Sequence, residues 1–290
     1  MLWPIDKLFT VYAVIMCCLL GLAARSDSFA LLLILGHVAL LSALIALARN
    51  SSPSAQFLRQ WWLLVYLPFC YKQVPFIVNA LHLHVADATL AHWDMALWKV
   101  DPVFWLSARP SRFWVELLEI IYSMFIPGTL LLGIGLWVRR TREEFRQGTF
   151  LIAATFLITY LGYILVPARG PRFMDYASSY PALQGGWTFS FFKNLLDTLE
   201  GTQFDCFPSG HVAIVMVGAY LARKISAPVF YVFAVFAACI TFSTVYLRYH
   251  YVIDVIAGTV LALLVIRCGP WVYRKLGSRG AASGKAVGSE

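Results

Sequence analysis

The chain has 290 residues, of which 60% are hydrophobic and 13% charged, about half the charged share of a soluble domain. With a mean hydropathy of +0.71, a water-soluble fold is excluded, because its surface could not be covered with polar groups. The net charge of +8 and pI of about 9.2 would suggest nucleic acid in a soluble protein; here they fit cytoplasmic loops beside anionic headgroups, and no nucleic-acid partner is expected.

A bilayer span needs about 20 apolar residues. Eight segments approach that, near 8–24, 29–48, 60–80, 114–138, 149–167, 209–222, 226–246 and 250–267. The first follows Asp6 and Lys7 and could pass for a signal peptide, but Ala23-Ala24-Arg25 is a poor cleavage site and a second span follows directly, so it is read as a helix. The third is interrupted by Lys72 and Gln73, and the sixth is short. Between the third and fourth, 84–112 carries Trp93, Trp98 and Trp105, with Trp114 just beyond, among Pro and charge breaks; this predicts short helices lying in the membrane interface. The fold class expected is all-α, a polytopic transmembrane bundle of about six to eight spans. It divides into N-terminal helices (1–58), a catalytic core (59–276) with an active-face loop (168–208), and a disordered Gly/Ser/Ala/Lys-rich cytoplasmic tail (277–290).

Arg139, Arg140, Arg142 and Arg146 crowd one short loop, Arg223 and Lys224 a second, and Arg267, Arg274, Lys275 and Arg279 a third. Placing all three on one side closes the count of crossings, so these loops and both termini are expected in the cytoplasm of a multi-pass cell-membrane protein. Loop 168–208, the turn at 246–250 and segment 84–112 then share the extracytoplasmic face. The six cysteines (Cys17, Cys18, Cys70, Cys206, Cys239 and Cys268) show no metal-ligand spacing. Five read as small hydrophobes; Cys206 stands apart in a polar loop.

Three polar clusters fall on that extracytoplasmic face: Arg169-Gly-Pro-Arg172, Phe207-Pro-Ser-Gly-His211, and Arg248-Tyr-His250-Tyr-Val-Ile-Asp254. Ser209 is a predicted N-cap, and the helix start with Gly210 suits an anion. His250 and Asp254, four apart, share a helix face; an aspartate on one imidazole nitrogen leaves the other free to attack. Arg172 and Arg248 match phosphate oxygens in pairs. Two histidines, a carboxylate and two arginines fit phosphoryl transfer through phospho-histidine, one His attacking and the other protonating the leaving oxygen. A zinc site on His211, His250 and Asp254 is the chemical rival, disfavoured by two adjacent arginines; no metal and no cofactor is expected. His37, His82, His84 and His92 read as span-end residues. Glu116 and Glu119 would line the site or pair with Arg112; Asp175 and Asp205 read as solvated.

Pro208-Ser-Gly-His211 and the His250/Asp254 spacing resemble the type-2 phosphatidic acid phosphatase superfamily, which includes vanadium haloperoxidases. Its pattern is Lys, six residues, Arg-Pro; then Pro-Ser-Gly-His; then Ser-Arg, five residues, His, three residues, Asp. The second block matches outright. In the third, Ser243, His250 and Asp254 match, Thr244 replaces the arginine, and Arg248 follows four residues later. In the first, Gly-Pro-Arg stands for Arg-Pro and Leu165 occupies the lysine position. Arg172, with Arg169 or Lys72, is the substitute. Gly-Pro-Arg and Arg-Tyr-His-Tyr look like the branch holding inositol phosphorylceramide synthases and related head-group transferases. The resemblance implies a six-helix phosphatase-like core. It makes His250 the nucleophile, Asp254 its orienting partner and His211 the acid/base, with Arg172, Ser209, Gly210 and Arg248 on phosphate. The implied substrate is a lipid phosphate or phospholipid from the outer leaflet, with water or an alcohol as acceptor. A transporter, or a scaffold with a decayed site, is the alternative of another class.

Overall fold

The computed structural model of the chain describes residues 2–200 and 204–285. It is all-helical, with no strand among the described residues. In chain order the helices are α1 (Pro4–Ala23), α2 (Phe29–Arg49), α3 (Pro53–Gln60), α4 (Leu63–Tyr71), α5 (Val74–Ala80), α6 (Asp87–Trp98), α7 (Pro102–Leu106), α8 (Arg112–Ser123), α9 (Phe125–Arg139), α10 (Arg142–Leu165), α11 (Trp187–Glu200), α12 (Gly210–Ile225), α13 (Ala227–Tyr246) and α14 (Val252–Lys285). Two 3-10 turns, Pro171–Phe173 and Asp175–Ser179, sit in the loop after α10.

Among the described residues, six segments are long and apolar enough to cross a membrane: Pro4–Ala23, Phe29–Arg49, Pro53–Ala80, Arg142–Leu165, Ala227–Tyr246 and Val252–Ser278. The protein is therefore a multi-pass membrane bundle. The pair α8 and α9 makes a seventh if taken as one span bent by 42°. Pro127 lies in the first turn of α9, where its ring cannot accommodate the carbonyl four residues back at Ser123, and the helix breaks there. The sixth segment expected, 209–222, is realised as α12, 16 residues long and so about 24 Å, short for a span. The segment around Lys72 is broken into α3, α4 and α5, with Pro68 inside α4 and Pro75 opening α5. Helix α14 is traced to Lys285, into the tail expected to be disordered; its last residues, 286–290, lie outside the described residues.

Helix α10 is the hub. Of its most apolar window 72% is buried, against 17% for α2, and it packs on α1, α4, α9, α12 and α14. Its start is fixed by a reciprocal cap: the Glu144 N–H donates to Thr141 Oγ1 and the Thr141 N–H to Glu144 Oε2. The same end gathers the basic clusters. Lys224 Nζ donates to Gln147, the Tyr273 hydroxyl to Glu143, Lys7 Nζ to the Leu276 carbonyl, and Arg146 lies over Trp3. The far ends of α12 and α14 thus meet the starts of α1 and α10, at one pole of the bundle. The ends of α10 and α13 and the starts of α12 and α14 define the opposite pole. Residues 84–112 contain the short helices α6 and α7, and Trp93, Trp98, Trp105 and, just beyond, Trp114 are exposed.

Candidate active site

Helix α12 begins at Ser209, whose Oγ accepts from the Val212 N–H, the N-cap bond expected. Ser209 is fully buried, and its own N–H donates to the Asp254 carbonyl. It is therefore the joint between α12 and α14. A Cβ at Gly210 would lie 2.4 Å from the Tyr163 hydroxyl, so any side chain there would have to displace the tip of that tyrosine.

His211, in the first turn of α12, and His250, just before α14, face each other with ring centroids 5.8 Å apart. His250 Nδ1 lies 2.8 Å from the Cys206 carbonyl oxygen and 3.5 Å from Asp254 Oδ2. A carbonyl can only accept, so Nδ1 carries the proton and Nε2 keeps its lone pair. The nearer orienting partner is thus the Cys206 backbone rather than the Asp254 carboxylate. Asp254 Oδ2 in turn accepts from the Cys206 thiol at 2.8 Å and the Tyr251 N–H at 2.9 Å; Asp254 Oδ1 is buried with no hydrogen-bond partner among the described residues. Burial, with Asp254 alongside, holds the Cys206 thiol protonated well beyond its ordinary range.

His211 is packed in an aromatic wall. Tyr122 stacks on it at 4.5 Å, Phe125 approaches to 4.3 Å, and the Tyr122 hydroxyl lies 3.3 Å from His211 Nδ1. Tyr249 stacks on Tyr122 at 4.4 Å, and the Arg172 guanidinium lies 4.6 Å from the Tyr249 ring. The Tyr249 hydroxyl donates to Glu119, which is fully buried.

The cations split between places. Arg248 has φ +64°, costly for a side-chain-bearing residue. Its Nε donates to Ser107 Oγ and one Nη to the Ser107 and Pro181 carbonyls. Burial lowers its affinity for its proton. Arg172 and Arg248 line a cavity of about 480 Å³ whose wall also carries Glu119, Asp175, Lys193 and Tyr249 among apolar side chains. Lys72 and His211 line a different, apolar cavity of about 440 Å³. Arg169 is exposed, 5.5 Å from the Phe204 ring. Helices α12 and α14 and the turn before α14 thus bring together His211, His250, Asp254, Ser209 and Gly210; Arg172 sits across the Tyr122–Tyr249 stack from His211, and the Arg248 guanidinium is turned toward Ser107 and Phe104.

Two carboxylates of α6, which belong to none of the three polar clusters, hold this pole in place. Asp87 accepts from the N–H groups of Arg169 and Gly170, at 2.9 and 2.8 Å, and from the Tyr251 hydroxyl at 3.0 Å. Gly170 has φ +102°, and a Cβ there would strike the Tyr249 carbonyl at 2.4 Å, so only glycine fits. Asp94 accepts from Val252 N–H at 2.7 Å and Ile253 N–H at 2.8 Å, capping α14 from another helix. Burial, with Asp254 and Asp101 nearby, raises the Asp94 carboxyl to about 6 despite those two bonds. Spacing i, i+7 on one helix face was the available signal. The reach to 169–170 and 252–253 is tertiary and invisible in sequence. Glu116, rather than pairing with Arg112, accepts from the Gly186 and Phe189 N–H groups. Asp205 accepts from the Tyr71 hydroxyl at 2.7 Å. His37 is a core residue between Tyr66 and Gln73.

Cys206, His250 and Asp254 each offer one donor atom within 4.8 Å of the others, types that zinc accepts. Here those donors are engaged with one another: the thiol on the carboxylate, the imidazole on the Cys206 backbone.

A protein-family profile described as the PAP2 superfamily matches residues 88–268. Two curated proteins are similar in sequence. A phosphoinositol dihydroceramide synthase of Bacteroides thetaiotaomicron is 27% identical over 158 residues, 50% of this chain and 52% of that protein. A PA-phosphatase related-family protein of Dictyostelium discoideum is 28% identical over 119 residues, 40% of this chain and 22% of that protein. The chain thus spans about half the length of the first relative and less of the second. No solved structure matches the chain.

Proposed function

This chain belongs to the PAP2 superfamily, and from that premise we propose that it is a membrane lipid phosphatase or phosphotransferase acting through phospho-histidine. The observation that carries the reading is the His250–His211 pair. One ring has Nδ1 committed to a carbonyl, and the other faces it 5.8 Å away. His250 Nε2 attacks phosphorus as the bond from phosphorus to the lipid oxygen breaks, and His211 gives that oxygen its proton. Water or an alcohol then attacks the phospho-histidine, the N–P bond breaks, and His211 takes the proton. Arg172 and Arg248 supply positive charge beside the site, with Ser209, Gly210, Arg169 and Lys72 as further phosphate-side residues. Asp254 acts through Cys206 and the turn at Tyr251.

The substrate is a phosphate ester or diphosphate of a lipid. The pole carrying the basic clusters faces the cytoplasm, with the site on the extracytoplasmic side. The helices of 1–58 flank a catalytic core of 59–276, and the matched segment lies wholly inside that core.

The test is phosphate release from phosphatidic acid in mixed micelles. His250→Ala should abolish release while the purified protein keeps its helix content and elution volume; full turnover in that variant would overturn the mechanism. His211→Ala should slow it by about 10²-fold or more.

A second reading, head-group transfer to an alcohol, draws on one specific observation. The cavity of about 480 Å³, with acidic and basic side chains both on its wall, has room for a hydroxylated acceptor, and one relative bears the name of a synthase. Free phosphate formed at full rate without any added alcohol would sink this reading and leave the phosphatase.

A further inference from the structure

The apolar cavity beside His211 is an elongated groove whose two ends differ in chemistry. Its floor is α10, from Tyr163 through Phe156 to Gly148; its walls are α4 and α9. One end is polar, with Tyr71, Lys72, Asp205 and His211. The other closes where Leu136 meets Gly148: a Cβ at Gly148 would lie 3.1 Å from Leu136 Cδ1. Leu64, Ile126 and Leu130 line it and are exposed, so the groove opens sideways between α4 and α9.

Its length follows from the helix. Phe125 is level with His211, their rings 4.3 Å apart, and Leu136 lies eleven residues further along α9. At ~1.5 Å per residue the groove is about 16 Å deep. One leaflet of hydrocarbon, half of a core of ~30 Å, is about 15 Å. A polar head at His211 with a chain directed down α9 therefore ends near the bilayer midplane.

We propose that this groove seats one hydrocarbon chain of the lipid substrate and that its closed end at Leu136 and Gly148 sets the chain length the protein accepts. The inference rests on the phosphoryl-transfer reading above and adds a selectivity element to it. Continuity commits the occupant: the groove's apolar wall runs without a break to the imidazole that would protonate the leaving oxygen. A chain seated there hangs from the reacting phosphate.

Gly133 is the place to test this. It lines the groove about 12 Å below Phe125, eight residues along α9, and a Cβ there meets only the Trp61 ring, at an ordinary 3.5 Å. Gly133→Phe would plug the lower groove without touching the site. Turnover is compared between a long-chain phosphatidic acid and a short-chain homologue in the same micelles. The variant should lose at least about tenfold on the long chain relative to the short, with short-chain turnover within about twofold of the unsubstituted protein. Gly133→Leu, a smaller plug, repeats the measurement should the larger one not fold. Equal loss on both substrates, or loss on neither, overturns the assignment; the latter is the result if bulk membrane lipid fills the groove. If the unsubstituted protein turns over neither lipid, with or without an added alcohol acceptor, the phosphoryl-transfer reading fails first and takes the groove with it.

Discussion

At the scale of single residues, the site is governed by which atoms are already committed. His250 Nδ1 is committed to a backbone carbonyl, a partner that substitution of side chains cannot remove. The aspartate four residues on was legible in the sequence, but its role was not. The i, i+4 spacing predicts one helix face for His250 and Asp254, but His250 lies ahead of α14, which starts at Val252, and the loop 204–208 that inserts Cys206 between them is placed by tertiary packing alone. Arg248 shows the same limit. Its position one turn after the missing family arginine was readable; its left-handed backbone and its bonds to Ser107 and Pro181 were not. Asp94 gives a pH prediction. The folded carboxyl keeps its proton to about 6, higher than a free aspartate. Its contribution to stability is therefore complete below about pH 4 and is lost as pH rises through about 6. Asp94→Asn has one acceptor where two N–H groups point, so it should cost about 1–3 kcal/mol. It should also flatten the fall in melting temperature between about pH 4 and about pH 7. Melting curves in detergent at several pH values check both; an unchanged pH dependence in the variant would exclude Asp94 as the titrating group.

Among the elements, the bend between α8 and α9 connects local sequence to the site. Tyr122 and Phe125, which enclose His211, lie on opposite sides of it. The apolar run 114–138 reads as one span, and a single proline in its middle is tolerated in many membrane helices, so the 42° turn that accompanies Pro127 here was not legible in the run itself. Pro127→Ala restores a hydrogen-bond donor to the first turn of α9 and relieves the clash with the Ser123 carbonyl. The helix should straighten, the aromatic wall should part, and turnover should fall by about tenfold or more with no loss of melting temperature. Melting and turnover measured on one preparation separate this from simple destabilisation: a lower melting temperature with unchanged turnover would refute it. Short helices such as α6 and α7 were expected from their Pro and charge breaks. That α6 reaches over to cap α14 was not, because both carboxylates look like solvated interfacial charges in one dimension.

Taken whole, the molecule has a basic pole and a reactive pole, tied at the first by Lys7, Gln147, Lys224 and Tyr273. Composition was enough to foresee a membrane bundle, and charge bias was enough to group the basic loops. Sidedness is open to direct measurement. In a cysteine-free background, a membrane-impermeant thiol reagent should label Ser178→Cys in intact cells and Thr141→Cys only after lysis; the reverse pattern would invert the proposed orientation. The reactive pole itself depends on one short helix. Through Asp87, α6 holds the Arg169–Gly170 backbone and Tyr251; through Asp94, it holds the first residues of α14. Both ends of the candidate site hang from the same twelve-residue element, which contributes little to the apolar core. Warming should therefore silence the protein in one step, as α6 lifts away, at temperatures where the spanning helices are still packed. The lost activity should return on cooling, since the scaffold that α6 docks onto would never have come apart.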